Sequence, residues 1–88
     1  MTREEVYTAI DSERDYQLKM WSDYQNDDNT TDNPLTIGEN LVLIQSYLNK
    51  PMEAWVLEKK PCINTLDNIR KIAGICVRTG EQHGMPKR

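Results

Sequence analysis

Apolar residues recur three and four positions apart along three stretches of the chain, and polar runs separate them. In the first stretch Val6, Ile10, Gln17, Met20 and Tyr24 share one helical face, widened by Ala9, Tyr16 and Trp21. Thr2 stands where a hydroxyl caps the first turn, with Glu4 and Glu5 at the positive end of the helix dipole. The spacing predicts a helix from about Arg3 to Tyr24. The run QNDDNTTDNP, from Gln25 to Pro34, holds no apolar residue except its closing proline and reads as a loop on turn chemistry.

The stretch TIGE, Thr36 to Glu39, has the form of a capping box, in which hydroxyl and carboxylate each satisfy a free backbone N–H. A second helix follows, with Leu41, Ile44, Leu48 and Met52 on one side and Val42, Tyr47 and Trp55 widening it. Pro51 falls inside this pattern. A proline there removes one backbone hydrogen bond and crowds the preceding turn, at about 3 kcal/mol unless the helix bends or restarts. The pattern allows one kinked helix, or a helix to about Leu48 and another starting at Pro51. The next break is EKKPCIN, Glu58 to Asn64, with Asn64 or Thr65 as cap of a third helix. Its apolar positions are Leu66, Ile69, Ile72, Ala73, Cys76 and Val77, and Gly80 or Gly84 closes it. No strand pattern or repeat is present. The expectation is an all-α fold, a small antiparallel three-helix bundle in one domain spanning residues 1–88.

Composition changes this picture in one respect. With 88 residues, 38% hydrophobic content and no Phe, the chain has little apolar material for a core of its own. Chains of this size usually add disulfides, a metal or partner subunits. Two cysteines, Cys62 and Cys76, without a CxxC pattern, do not make a structural zinc site. Cys76 on the apolar stripe reads as a small buried hydrophobe. Nothing near Met1–Val6 resembles a signal peptide, and no apolar run reaches the roughly 20 residues that span a membrane. The expectations are a cytoplasmic protein, in the cytoplasm of a host cell, without membrane contact, that assembles as a homo-oligomer.

Charge narrows the choice of partner. The net charge is -3 and the isoelectric point about 5.0, which disfavours general binding of nucleic-acid polymers. Acidic residues crowd the first third, including Asp23, Asp27, Asp28 and Asp32, whereas basic residues outnumber acidic ones from Lys50 onward. An acidic chain with a local basic patch suits a small anionic ligand. Arg70 and Lys71 are the candidates for that patch. Adjacent on the helix, they lie about 100° apart, so one can face a cleft while the other reaches round. Arginine supplies a fork for phosphate and lysine a point charge. A solvated helix face explains both equally simply. The aromatic residues Tyr7, Tyr16, Trp21, Tyr24, Tyr47 and Trp55 all carry a polar handle, as at interfaces and base-stacking sites.

Other chemistry finds fewer residues. The single histidine, His83, has no nucleophile suggested beside it, and no phosphate-binding glycine loop is present. Glu13 falls on the face of Ile10, Gln17 and Met20, and a carboxylate buried there needs a cation or a metal. Glu39 is explained by the capping box. Glu53 and Asp67 each stand alone, whereas Mg²⁺ chemistry on phosphate wants paired carboxylates one turn apart.

The segments AIDSERDYQLKMW, TIGENLVLIQSYL and LDNIRKIAGICVRTGEQHGMPKR resemble a group of short phage and prophage helical proteins. In order and spacing these look distantly like the MazG-type all-α nucleotide pyrophosphohydrolases. In those enzymes an ExxE pair on one helix and an ExxD pair on a later one hold Mg²⁺ around a nucleoside triphosphate. The matching stretches here read ENLV, Glu39 to Val42, and DNIR, Asp67 to Arg70. Each keeps one carboxylate and loses the second, the latter to a cation. In size, helicity and oligomeric habit the chain is also similar to the phage sponges that sequester cyclic nucleotide signals of anti-phage defence, such as the anti-CBASS sponges.

The resemblance implies a nucleotide-binding protein that holds its ligand and does not cut it, with Arg70, Lys71, Tyr16, Trp21, Glu39 and Tyr7 as ligand-binding residues. That reading has no catalytic residue, metal or resident cofactor. Two alternatives stand beside it. One is a Mg²⁺-dependent nucleotide pyrophosphohydrolase using Glu13, Glu39, Glu53 and Asp67, gathered by oligomerisation. The other is an adaptor that inhibits a host protein through the acidic face of the first helix.

Overall fold

A computed structural model describes residues 1–23, 35–58 and 63–88, without the side chains of residues 21–23, 54–58, 63 and 64. Three helices account for nearly all of them: α1 (Arg3–Asp23), α2 (Ile37–Glu58) and α3 (Ile63–His83). The described residues contain no strand. The run from Gln25 to Pro34 and Cys62 lie outside the described residues.

Two helices start on the same device. Thr36 Oγ1 accepts from the Glu39 N–H at 3.1 Å while Glu39 Oε1 accepts from the Thr36 N–H at 3.1 Å, the reciprocal capping box expected of TIGE. Thr2 and Glu5 repeat it at the head of α1, at 3.1 and 3.2 Å. The box adds to what the sequence predicts there, a Thr2 cap with Glu5 at the positive end of the dipole. These bonds hold both glutamates below their usual pKa, chiefly through the backbone N–H of each threonine. The third helix departs from expectation: it begins at Ile63, so Asn64 and Thr65 are inside it and not its caps. It closes at Gly84, whose φ of 95° is the left-handed conformation that favours glycine. The Gly84 N–H donates to the Gly80 carbonyl at 2.8 Å, and Met85 folds back over Gly80. This is the αL termination.

α2 is assigned as one helix through Pro51, so no second helix starts there. α3 is the hub. It packs against both neighbours, whereas α1 and α2 barely touch among the described residues. Asn40, early in α2, pairs with Arg78, late in α3. Leu35, just ahead of α2, meets His83 at the end of α3. These pairings make α2 and α3 antiparallel.

The interior is polar. Among the described residues Ile75 is the one hydrophobic side chain classed as buried, beside Glu13, Arg14, Gln17, Asn40 and Arg78. Asn40 is the tie between α2 and α3: its amide donates to the Thr36 carbonyl at 3.1 Å, and its Oδ1 accepts from Arg78 Nη2 at 2.6 Å. Arg14 reaches Glu81 at 2.7 Å, and Gln17 lies against Gly74, where a Cβ would meet its amide at 2.7 Å. A helix that buries such residues needs each polar group partnered, and these pairs supply most of the partners.

The apolar stripe of α3 does the opposite of what its pattern suggests. Leu66 is 67% exposed, Ile69 51% and Val77 38%, and Cys76 is a half-buried free thiol. The helix turns Gly74, Ile75 and Arg78 toward its neighbours, leaves Leu66, Ile69 and Val77 exposed, and half-buries Ile72, Ala73 and Cys76.

Candidate functional site

α1 and α3 enclose an open cleft of about 420 Å³, lined by Ala9, Ser12, Glu13, Tyr16, Arg70 and Lys71. The α1 residues come one turn apart, at 9, 12, 13 and 16, so one face of the helix forms one wall. Arg70 and Lys71, adjacent on α3, form the other.

Glu13 anchors the site. Its side chain is 5% exposed, and Arg70 Nε donates to its Oε1 at 2.8 Å. Gln17 Nε2 donates to the other oxygen at 3.2 Å and to the Lys71 carbonyl at 3.2 Å. Both neighbours of that amide are acceptors, which fixes its orientation and leaves Gln17 Oε1 buried without a partner. The carboxylate on the apolar face of α1 thus takes a cation as its counterpart.

Arg70 also donates through Nη1 to Asp67 at 2.9 Å. The two carboxylates hold its guanidinium above the usual arginine pKa, chiefly through the Glu13 hydrogen bond. Arg70 is a bridging residue, 40% exposed, between a buried and a half-exposed carboxylate. An arginine has five N–H donors, and two are used here, which leaves three without a hydrogen bond among the described residues. The Lys71 ammonium makes no ion pair among the described residues.

The remaining candidates are dispersed. Tyr16 lines the cleft, 58% exposed. Tyr7 is exposed on α1 and does not line it. Glu39 is occupied in the α2 capping box, and Glu53 is exposed late in α2. The side chain of Trp21 lies outside those described. Of the four carboxylates considered for a metal, Glu13 and Asp67 meet through Arg70. Among the described residues no group of three or more His, Cys, Asp or Glu side chains is placed to hold a metal ion.

Ala9, which the sequence places on the apolar stripe of the first helix, and Ser12 are not among the predicted ligand-binding residues. The signal for them was the helical spacing from Glu13 and Tyr16, once Glu13 is known to face α3. Ser12 turns its hydroxyl back to the Ala9 carbonyl at 2.7 Å, which leaves its oxygen lone pairs toward solvent or ligand. No known protein family, curated protein or solved structure matches the chain.

Proposed function

We propose that this protein binds a small phosphorylated ligand of nucleotide size in the α1–α3 cleft and holds it without cutting it. The role is that of a phage sponge for a cyclic nucleotide signal of host defence. The observation that carries the reading is the meeting of Lys71, Arg70 with three N–H donors still unused, and the exposed Tyr16 in one cleft. A phosphate takes charge-assisted hydrogen bonds from the two cations, and a base stacks on the tyrosine. Asp67 is the half-exposed partner of Arg70 and the one an incoming anion displaces, while Glu13 keeps hold of Nε.

The metal-dependent hydrolase is the alternative, and it would need a second copy to gather Glu39 and Glu53 near Asp67. The adaptor reading draws on another feature: Glu4, Asp11 and Asp15 are exposed along one side of α1, an acidic face for a basic partner. We also propose that the chain self-associates and that α2 bends at Pro51. The support is the scarcity of buried hydrophobic side chains and the missing N–H of a proline inside a helix.

Calorimetric titration with cyclic di- and trinucleotides and nucleoside triphosphates, with and without Mg²⁺, tests the function. Arg70→Ala should lose about 1.5–3 kcal/mol of binding, roughly ten- to hundredfold. Lys71→Ala should lose less, because it lacks the fork. Asp67→Asn should bind as well as the parent or more tightly, whereas in a hydrolase it would abolish Mg²⁺-dependent release of pyrophosphate. If no nucleotide binds, or if the Arg70 and Lys71 variants bind as the parent does, the assignment is wrong.

A further inference from the structure

We infer that Gln17 is the positioning residue of the α1–α3 cleft, setting both of its cations without touching the ligand itself. The inference rests on the phosphate-binding role proposed above and names the group that holds that site in shape.

Gln17 is 6% exposed and does not line the cleft. Its place on the apolar stripe of α1 suits a core side chain, yet a methionine of similar length would fill that space with no amide to satisfy. The Gln17 Oε1 atom is buried with no hydrogen-bond partner. An acceptor left open in that way is destabilising, so what the amide contributes lies on its donor side. There Nε2 donates to Glu13 Oε2 and to the Lys71 carbonyl, each at 3.2 Å.

Those acceptors lead to the two cations. Glu13 receives Arg70 Nε on its other oxygen at 2.8 Å, so tying down Oε2 fixes the carboxylate that orients the guanidinium. The Lys71 carbonyl belongs to the backbone from which the lysine side chain starts, so the second bond sets α1 against α3 at that residue. Gly74, one turn along α3 from both cations, makes the approach possible, since a Cβ there would meet Gln17 Nε2 at 2.7 Å. Glycine inside a helix is disfavoured, and here the amide fills the space it leaves. Without that amide Glu13 is free to rotate, and Arg70 is free to settle on Asp67 alone. A ligand must then order the guanidinium itself, a cost that folding has already met in the parent.

The test compares the parent with Gln17→Met and Gln17→Glu, each checked for folding by circular dichroism. Cyclic di-AMP is the probe, because its phosphodiester charges are constant near neutral pH. Titrations are run at about pH 5 and about pH 8, on either side of the raised pKa expected where two carboxyls face each other. Gln17→Met should bind roughly three- to tenfold more weakly at both, the cost of ordering one freed side chain. Gln17→Glu should bind as the parent does at the lower pH, where the introduced carboxyl is protonated and donates to Glu13 as the amide did. At the higher pH it should bind as weakly as Gln17→Met or more so, because the two carboxylates repel. The charged groups bearing on that site are Glu13 on α1 and Arg70, Asp67 and Lys71 on α3, while Arg14, one turn earlier, is engaged by Glu81. The parent, titrated over the same range, corrects for them.

A readout without ligand is hydrogen exchange of the Arg70 Nε–H, followed by nuclear magnetic resonance, which should be faster in Gln17→Met than in the parent. A folded Gln17→Met that binds as the parent does, or whose Arg70 Nε–H exchanges as in the parent, overturns the positioning role. Should Gln17→Met not fold, the pH dependence of Gln17→Glu decides, and an affinity that tracks the parent at both values overturns it. A parent that binds no cyclic di-AMP, with exchange still faster in Gln17→Met, counts against the proposed function and keeps Gln17 as the residue that sets Arg70.

Discussion

Removing Arg70 strands a carboxylate that the fold has taken out of water. Glu13 is 5% exposed and receives Arg70 Nε at 2.8 Å. Breaking a fully buried ion pair from one side costs about 3–5 kcal/mol, because the remaining charge is desolvated and uncompensated. Here Arg70 is 40% exposed, so water screens the pair and re-enters when the side chain is cut back. Gln17 also keeps its hold on the second carboxylate oxygen. The expected loss for Arg70→Ala is therefore smaller, about 1–2 kcal/mol. At a urea dependence of about 1 kcal/mol per molar for a small domain, the midpoint falls by about 1–2 M. All variants must be compared at one protein concentration, since the proposed self-association would contribute to apparent stability. The second arm is Glu13→Gln with Arg70→Ala, in which the buried group is neutral and still accepts from Gln17. That double variant should recover half or more of the loss, a coupling expected of groups in direct contact. If Arg70→Ala unfolds within about 0.3 kcal/mol of the parent, or the double variant is no more stable than the single one, the buried-pair account is refuted.

Gly74→Ala puts a methyl group 2.7 Å from the Gln17 amide, so Gln17 must leave Glu13 and the Lys71 carbonyl. Thermal melts should show a loss of about 1 kcal/mol despite the better helix propensity of alanine. Gly38→Ala, which meets nothing closer than 3.9 Å, should be neutral or better. Thr36→Ala should cost about 1 kcal/mol by uncapping α2. Because Glu5 and Glu39 titrate below their usual values, their capping contribution is complete at neutral pH. It is lost as pH falls through those lowered values, and an acid titration of helicity should show the first turns of α1 and α2 fraying there. Pro51→Ala restores a backbone N–H within α2; it should raise helicity by circular dichroism and change the sedimentation behaviour or ligand affinity. An unchanged assembly with unchanged affinity would rule out a bend that matters.

The helices were legible because their signals are local. TIGE and Gly84 each act within one turn of chain, and the structure starts α2 after Thr36 and ends α3 at Gly84 accordingly. What the pattern did not reveal is which face of each helix turns inward. The apolar stripe of α3 pointed to a core, yet the contacts made by α3 run through Arg70, Gly74, Ile75 and Arg78. Those contacts depend on residues 38 or more positions away, such as Asn40 and Glu13, which no periodicity connects. Glu13 illustrates the boundary. Its place on an apolar face showed that it needed a partner, and only the packing of α1 on α3 shows that the partner is Arg70. The cleft was half legible for the same reason: Arg70, Lys71 and Tyr16 could be chosen by chemistry, but Tyr7 and Glu39 could not be separated from them without knowing where α1 crosses α3.

Native mass spectrometry of the protein purified from cells producing cyclic nucleotide signals tests the central claim most directly. The account predicts an assembly of 10.3 kDa subunits that carries an intact nucleotide on each cleft, and carries less of it in the Lys71→Ala variant. An assembly that carries no nucleotide, or one that carries it equally well without Lys71, would contradict the account.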